Sequence, residues 1–157
     1  VYSSNGIGRV QCQLELPLFV FAFLPETFLM DSTEQAIETL HALREMGAHI
    51  SIDDFGTGYS SMAYLKKLPV TTLKIDRSFV MELPENRDDM EITKAIAAMA
   101  KAMRLSIIAE GIETHLQMDF LHSIDCDYGQ GFLLGKPQRA EEVVRLLKRA
   151  STPEKEE

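Results

Sequence analysis

The chain has 157 residues, 45% of them apolar, and a formal net charge of −8 at pH 7. That length supports one domain with a substantial core, and the acidic balance excludes a general grip on DNA or RNA, which needs clustered Lys and Arg. Two cysteines, Cys12 and Cys126, make neither a disulfide framework nor a zinc site, which predicts a protein of the reducing cytoplasm.

In chain order, residues 1–13 hold turn formers such as Ser3-Ser4-Asn5-Gly6 and show no clear period. Leu18 to Leu24 is a short apolar stretch bounded by Pro17 and Pro25. It is too short to span a bilayer and lacks the basic start and small-residue cleavage site of a leader. It reads as a buried strand, and no membrane segment is expected. Ser32 or Thr33 can cap a helix in which Ala36, Ile37, Leu40 and Leu43 share a face, and Gly47 closes it. His49 to Ile52 reads as a strand, and Met62 to Lys67 as a short helix stopped by Pro69. Thr71 to Ile75 is a strand, and Arg87 to Arg104 the longest helix, with Ile92, Ile96, Met99 and Met103 on one stripe. Ser106 to Ala109 is a strand, Thr114 to Ser123 a helix, Gln130 to Leu134 a short strand and Glu141 to Arg149 the last helix. The charged tail, residues 151–157, is expected to be disordered.

Alternating strands and helices predict parallel strands joined by right-handed crossovers. Chemistry in such folds collects at the carboxyl ends of the strands. Polar residues recur there: Asp53 and Asp54 after one strand, Lys74 and Asp76 at the next, Glu110 and Glu113 at the third, Gln130 at the fourth. Two neighbouring carboxylates tolerate each other once a hard divalent cation neutralises them. The same Asp-Asp-Phe-Gly-Thr-Gly segment also reads as a plain strand, turn and helix cap. Asp76 could pair with Arg77 or cap the following turn, Glu113 could belong to the first turn of the next helix, and Lys74 could be a surface lysine. The methionines of the long helix read as core packing.

Taken together, Asp53-Asp54-Phe55-Gly56-Thr57-Gly58-Tyr59-Ser60-Ser61, Leu73-Lys74-Ile75-Asp76-Arg77-Ser78-Phe79-Val80, Ala109-Glu110-Gly111-Ile112-Glu113-Thr114 and Gln130-Gly131-Phe132 closely resemble the EAL domain. The likeness runs from about Glu26 to Val144, with four motifs in order and register. It implies an α/β fold, a partial TIM-like (β/α) barrel holding roughly the last five strands. It also implies a cyclic di-GMP-specific phosphodiesterase, which hydrolyses that second messenger to the linear dinucleotide. By the same resemblance Asp53, Asp54 and Glu110 are metal ligands for a pair of Mg2+ or Mn2+ ions. Lys74 orients the attacking water and, with Glu110, is catalytic. Gln130 lies by the substrate, and Glu26 and Glu113 steady the loop after Asp54. Upstream sensory or GGDEF domains are partners that the family implies.

The chain departs from the family at its start. No Glu-Ala-Leu occurs, no strand with a metal-binding Asn precedes residue 14, and Phe23 stands where a third ligand belongs. Residues 1–25 are therefore read as an atypical lead, 26–150 as the partial EAL domain and 151–157 as the tail. With three of the expected ligands missing, the expectation is a truncated chain that is inactive by itself. The alternative is a degenerate EAL fragment that binds nucleotide or protein as a regulatory module. A half barrel with free edges is also expected to associate with itself, and Leu18 to Leu24 is the segment expected to cover one edge.

Overall fold

The computed structural model describes residues 2–3, 21–25, 34–57 and 62–150. Within them lie β1 (Tyr2–Ser3), β2 (Phe21–Pro25), α1 (Glu34–Glu45), β3 (His49–Phe55), α2 (Met62–Leu65), β4 (Thr72–Ile75), a 3-10 turn (Arg77–Phe79), α3 (Arg87–Ala102), β5 (Ser106–Glu110), α4 (His115–Ser123), β6 (Tyr128–Gln130) and α5 (Ala140–Ala150). The strands form one sheet in the order β1-β6-β5-β4-β3-β2. Neighbours from β2 to β6 are parallel, and β1 runs antiparallel to β6. Five parallel strands in chain order, each linked through a helix to the next, make an open, partial (β/α) barrel.

The two faces of the sheet follow from its two-residue period. Ile50, Ile52, Leu73, Ile75, Ile107 and Ala109 are fully enclosed. They form one core with Leu40 of α1, Ile96, Ala97 and Ala100 of α3, and Phe120 and Leu121 of α4. Paired residues on the other face are Ser51 with Thr72, Thr72 with Ser106, Lys74 with Ile108, and Glu110 with Gln130. The apolar face carries the helices, and the polar face leads to the site.

Three helices end in one local device. Ala48 N–H donates to the Leu43 carbonyl at 3.0 Å and Gly47 N–H to Arg44 at 3.0 Å. The same crossed pair closes α3 (Leu105 to Ala100, Arg104 to Lys101) and α4 (Cys126 to Leu121, Asp125 to His122). This is the Schellman arrangement, which puts its penultimate residue in left-handed backbone. Gly47 has φ +93°, Arg104 +60° and Asp125 +54°. Gly47 as a helix stop was legible in the sequence; the other two were not.

Leu18 to Leu24 was expected as a strand. Phe21–Pro25 is one, parallel to β3 with Phe23 opposite Ser51, while Leu18 to Val20 lie outside the described residues. The strand expected over Gln130 to Leu134 is a correction. β6 spans Tyr128–Gln130 and ends at Gln130 instead of opening there. The cause is the backbone of Ile112, which takes the chain out of the ladder: Leu133 N–H donates to the Ile112 carbonyl at 3.0 Å, and Leu134 and Gly135 N–H turn back onto Gly131. A Cβ at Gly131 would sit 2.0 Å from the Ile112 oxygen, so only glycine fits this approach. The helix expected to Lys67 ends at Leu65. The tail, 151–157, lies outside the described residues.

Candidate active site

The site sits where β3, β4, β5 and β6 end. In a regular strand, adjacent side chains point to opposite faces, so Asp53 and Asp54 could not work together. The ladder solves this. Ile52 pairs with Leu73 and Phe55 with Ile75, so Asp53 and Asp54 together stand opposite the single residue Lys74. This is a β-bulge, a device that re-aims side chains at strand ends. Asp54 takes the extra turn in left-handed backbone, φ +52°, a region that Asp tolerates better than most residues. Asp54 N–H bonds the Asp53 carboxylate at 3.2 Å, and Thr57 Oγ1 donates to the Asp54 carbonyl at 2.9 Å.

The result is a cluster of three carboxylates, from Asp53, Asp54 and Glu110, with one oxygen of each within 4.8 Å of the others. Lys74 reaches into it. Its Nζ lies 2.7 Å from Asp53 Oδ1 and 2.5 Å from Glu110 Oε1. The lysine is 8% exposed. Burial pulls its ammonium pKa down, but the bonds to Asp53 and Glu110 outweigh this, and the pKa lies above the ordinary lysine value. Lys74 therefore stays charged and neutralises part of the acidic cluster. Loss of solvent, then repulsion from Asp53 and Asp76, raise the Asp54 pKa. The donor set is all hard oxygen, which suits a hard divalent cation.

Around this cluster the supporting groups are distinct. Asp76 caps the 3-10 turn, accepting from Ser78 N at 2.9 Å and Ser78 Oγ at 2.5 Å. Partial burial opposes this, but the Ser78 bonds prevail and hold its carboxyl below the usual range. Of the alternatives open for Asp76, the cap is the one observed. Gln130 ends β6 opposite Glu110, with its side chain exposed. Glu113 is exposed on the loop after β5, and among the described residues its carboxylate makes no hydrogen bond or ion pair. Glu26 lies outside the described residues, as do Gly58 to Ser61 of the loop after Asp54. Asp53, Asp54, Lys74, Glu110 and Gln130 thus gather at one mouth.

Gln117 is the residue that sequence reasoning missed. It is 4% exposed. Its Oε1 accepts from Glu113 N at 2.7 Å and Thr114 N at 2.9 Å, and its Nε2 donates to the Met81 carbonyl at 3.0 Å. The visible signal was Thr114-x-x-Gln117, a capping box at the start of α4.

A parallel α/β sheet with acids and a lysine at its carboxyl edge defines a barrel-type protein with a candidate metal centre. The profile of the EAL domain matches residues 13–137, and the chain belongs to that family. The match begins at residue 13, inside the stretch set apart above as a lead. Among relatives, the chain is 44% identical over 149 residues to the cyclic di-GMP phosphodiesterase NbdA of Pseudomonas aeruginosa, covering 93% of this chain and 18% of that protein. It is 45% identical over 128 residues to the bifunctional diguanylate cyclase/cyclic di-GMP phosphodiesterase MucR of the same organism, covering 82% of this chain and 19% of that one. The chain thus spans about a fifth of the length of these relatives. Among solved structures, the phosphodiesterase part of MucR in complex with c-di-GMP superposes with a TM-score of 0.74 at 46% identity, covering 78% of this chain and 50% of that one. The EAL domain of Mycobacterium smegmatis DcpA gives 0.78 at 43% identity, covering 85% and 60%. Among the described residues no helix is long and apolar enough to cross a membrane.

Proposed function

We propose that this chain is part of a cyclic di-GMP phosphodiesterase of the EAL type, acting in the cytoplasm on a nucleotide second messenger. The observation that carries this reading is the convergence of Asp53, Asp54 and Glu110 around the buried Lys74. We assign the three carboxylates as ligands for Mg2+ or Mn2+. Such ions, when bound, supply an acidified water and neutralise charge at phosphorus. Lys74 directs a donor into the site, which suits it to hold the attacking water. Gln130, exposed beside Glu110, faces the substrate. Glu113 and Glu26 are assigned to the loop after Asp54. The division into a lead (1–25), an EAL part (26–150) and a tail (151–157) is part of this proposal, as are upstream sensory or GGDEF partners.

Phe23 favours a second reading. It occupies β2 beside Ser51, and a phenylalanine offers no oxygen to a cation. With that ligand gone, and no Glu-Ala-Leu in the chain, in-line displacement lacks the fixed two-ion frame it depends on. The chain alone would then bind nucleotide as a regulatory module without turning it over. Incubation of the purified chain with cyclic di-GMP and Mn2+, followed by chromatography, tests whether the chain turns the nucleotide over by itself. The expected result is binding with little or no linear dinucleotide formed. Turnover that disappears in Asp53→Ala and in Lys74→Ala would show that the remaining residues suffice for catalysis and that the regulatory reading is wrong.

A further inference from the structure

We propose that Gln117 is a positioning residue, tethering the loop behind Glu110 to the turn behind Lys74 and thereby setting the contact between them. The proposal rests on the metal reading above and concerns how that site is held.

Past the end of the ladder, nothing in a parallel sheet fixes one strand's exit loop against its neighbour's. Here the β5 exit loop is held from both sides. Toward β6, Ile112 N–H donates to the Gln130 carbonyl at 3.1 Å, and the Ile112 carbonyl accepts from Leu133 N at 3.0 Å. Toward β4, the polar link among the described residues is Gln117. Its amide grips two successive backbone N–H groups of the loop, those of Glu113 and Thr114, and hands its own N–H to Met81. Met81 in turn is bonded through its N–H to the Arg77 carbonyl at 3.0 Å. Arg77 opens the turn that Asp76 caps, two residues after Lys74. The two loops also touch: a Cβ at Gly111 would lie 2.7 Å from Arg77 Cβ.

Capping alone does not account for this geometry. A capping box needs one acceptor reaching the N-cap amide. That role is filled by the bond from Thr114 N to Gln117. The bond from Glu113 N and the donation to Met81 lie outside it. A glutamine amide has two acceptor and two donor positions, and a residue this buried retains three bonds across two loops. Groups bonded directly to metal ligands fix those ligands' orientation, and their loss typically weakens metal affinity by about 10- to 100-fold; Gln117 bonds no ligand itself and acts through the backbone on either side, so the low end of that range is expected.

Gln117→Glu separates the roles. Glutamate keeps the acceptor for the cap and removes the donor to Met81. The measurement is a Mn2+ titration followed by relaxation of the Asp53, Asp54 and Glu110 amide signals, with hydrogen exchange along α4 as the control. Gln117→Glu is expected to keep α4 protected and to weaken Mn2+ binding by about tenfold. Thr114→Ala, which loses the cap and retains the tether, is expected to hold Mn2+ as the unaltered chain does. Unchanged Mn2+ affinity in Gln117→Glu with α4 intact overturns the proposal. If Gln117→Glu does not fold, Gln117→Met takes its place; an equal loss in Gln117→Met and Thr114→Ala also overturns it. If the unaltered chain and Asp53→Asn respond alike to Mn2+, the metal reading itself has failed. The tether is then judged on the 15N signal of the Lys74 ammonium, which shifts or broadens in the Gln117 variant if Gln117 sets the Lys74–Glu110 contact and stays in place if it does not.

Discussion

Cys126 shows how far a single residue can be read from the sequence. Its presence spoke only of a reducing compartment. In the fold it is buried, and its Sγ lies 3.3 Å from the Tyr128 carbonyl and 3.7 Å from that of Ile107. Burial pushes its thiol up to about 11 from 9.0. An acid whose pKa is raised by folding stabilises the native state fully below its unfolded pKa. Between about pH 9 and 11 the unfolded chain has already released the proton that the native chain retains, so stability falls as pH rises through that window. The loss approaches about 3 kcal/mol for a two-unit shift. Urea midpoints measured from pH 8 to 11 are expected to decline, and Cys126→Ala is expected to flatten the decline. The site residues were more legible than Cys126. Asp53, Asp54, Lys74 and Glu110 could be picked out because strand ends are where such folds concentrate chemistry. What could not be read was the bulge that turns two adjacent acids to one side, because it depends on the register with β4. Nor could Gln117 be singled out, since a glutamine acquires meaning only from the loops it reaches.

The elements were legible where a pattern is local. The glycine stop of α1 follows from Gly47. The stripe of α3 is only partly as expected: Ile96 is buried and Met99 and Met103 pack against the core, but Ile92 is 40% exposed and the buried face is completed by Thr93, Ala97 and Ala100. The ends of α3 and α4 were not legible, because Arg104 and Asp125 adopt left-handed backbone without being glycine. Tertiary closure imposes that conformation: each helix must reverse at once into β5 or toward β6. Left-handed backbone costs an L-residue roughly 1–2 kcal/mol relative to right-handed, and glycine avoids most of this but loses more entropy on folding. Arg104 is exposed, so its side chain contributes little. Arg104→Gly is therefore expected to stabilise the chain by about 0.5–1 kcal/mol, seen as a raised urea midpoint with an unchanged slope. A lowered midpoint would show that the arginine side chain contributes more than its backbone costs. The misplaced β6 has a similar origin. Gln130 to Leu134 has strand-like residues, and the close approach of Gly131 to Ile112 overrides them.

On the scale of the whole molecule, the rhythm of strands and helices was enough to give parallel strands with helical crossovers, and the resemblance to the EAL domain added the partial barrel of about five strands. The antiparallel partner of β6 was not foreseen, because Tyr2 and Ser3 carry no strand signal of their own. Among the described residues the sheet is open, with β1 and β2 at its two edges. A closed barrel has no edges, whereas an open one exposes backbone donors and acceptors to other chains. Phe132, 59% exposed, and Leu116, 58% exposed, add apolar surface. The chain is thus expected to self-associate, and light scattering on the purified protein checks this. A monodisperse monomer that unfolds cooperatively would mean that the edges are better covered than the described strands show.

The order of the strands also has a consequence for how the chain acquires its shape. From β3 to β6, each strand pairs with the one synthesised just before it, so the sheet can grow by addition at one side as the polypeptide emerges. Each of these pairings closes only one strand–helix unit, a much shorter loop than the one that β1 closes with β6. β1 breaks this order. Among the described strands it precedes β2 in the chain, yet it pairs with β6, which follows all the others. Tyr2 and Ser3 cannot take up this pairing until some 125 further residues have been added, on the order of 10 s at the usual rate of chain elongation. Their docking closes the described sheet instead of opening it.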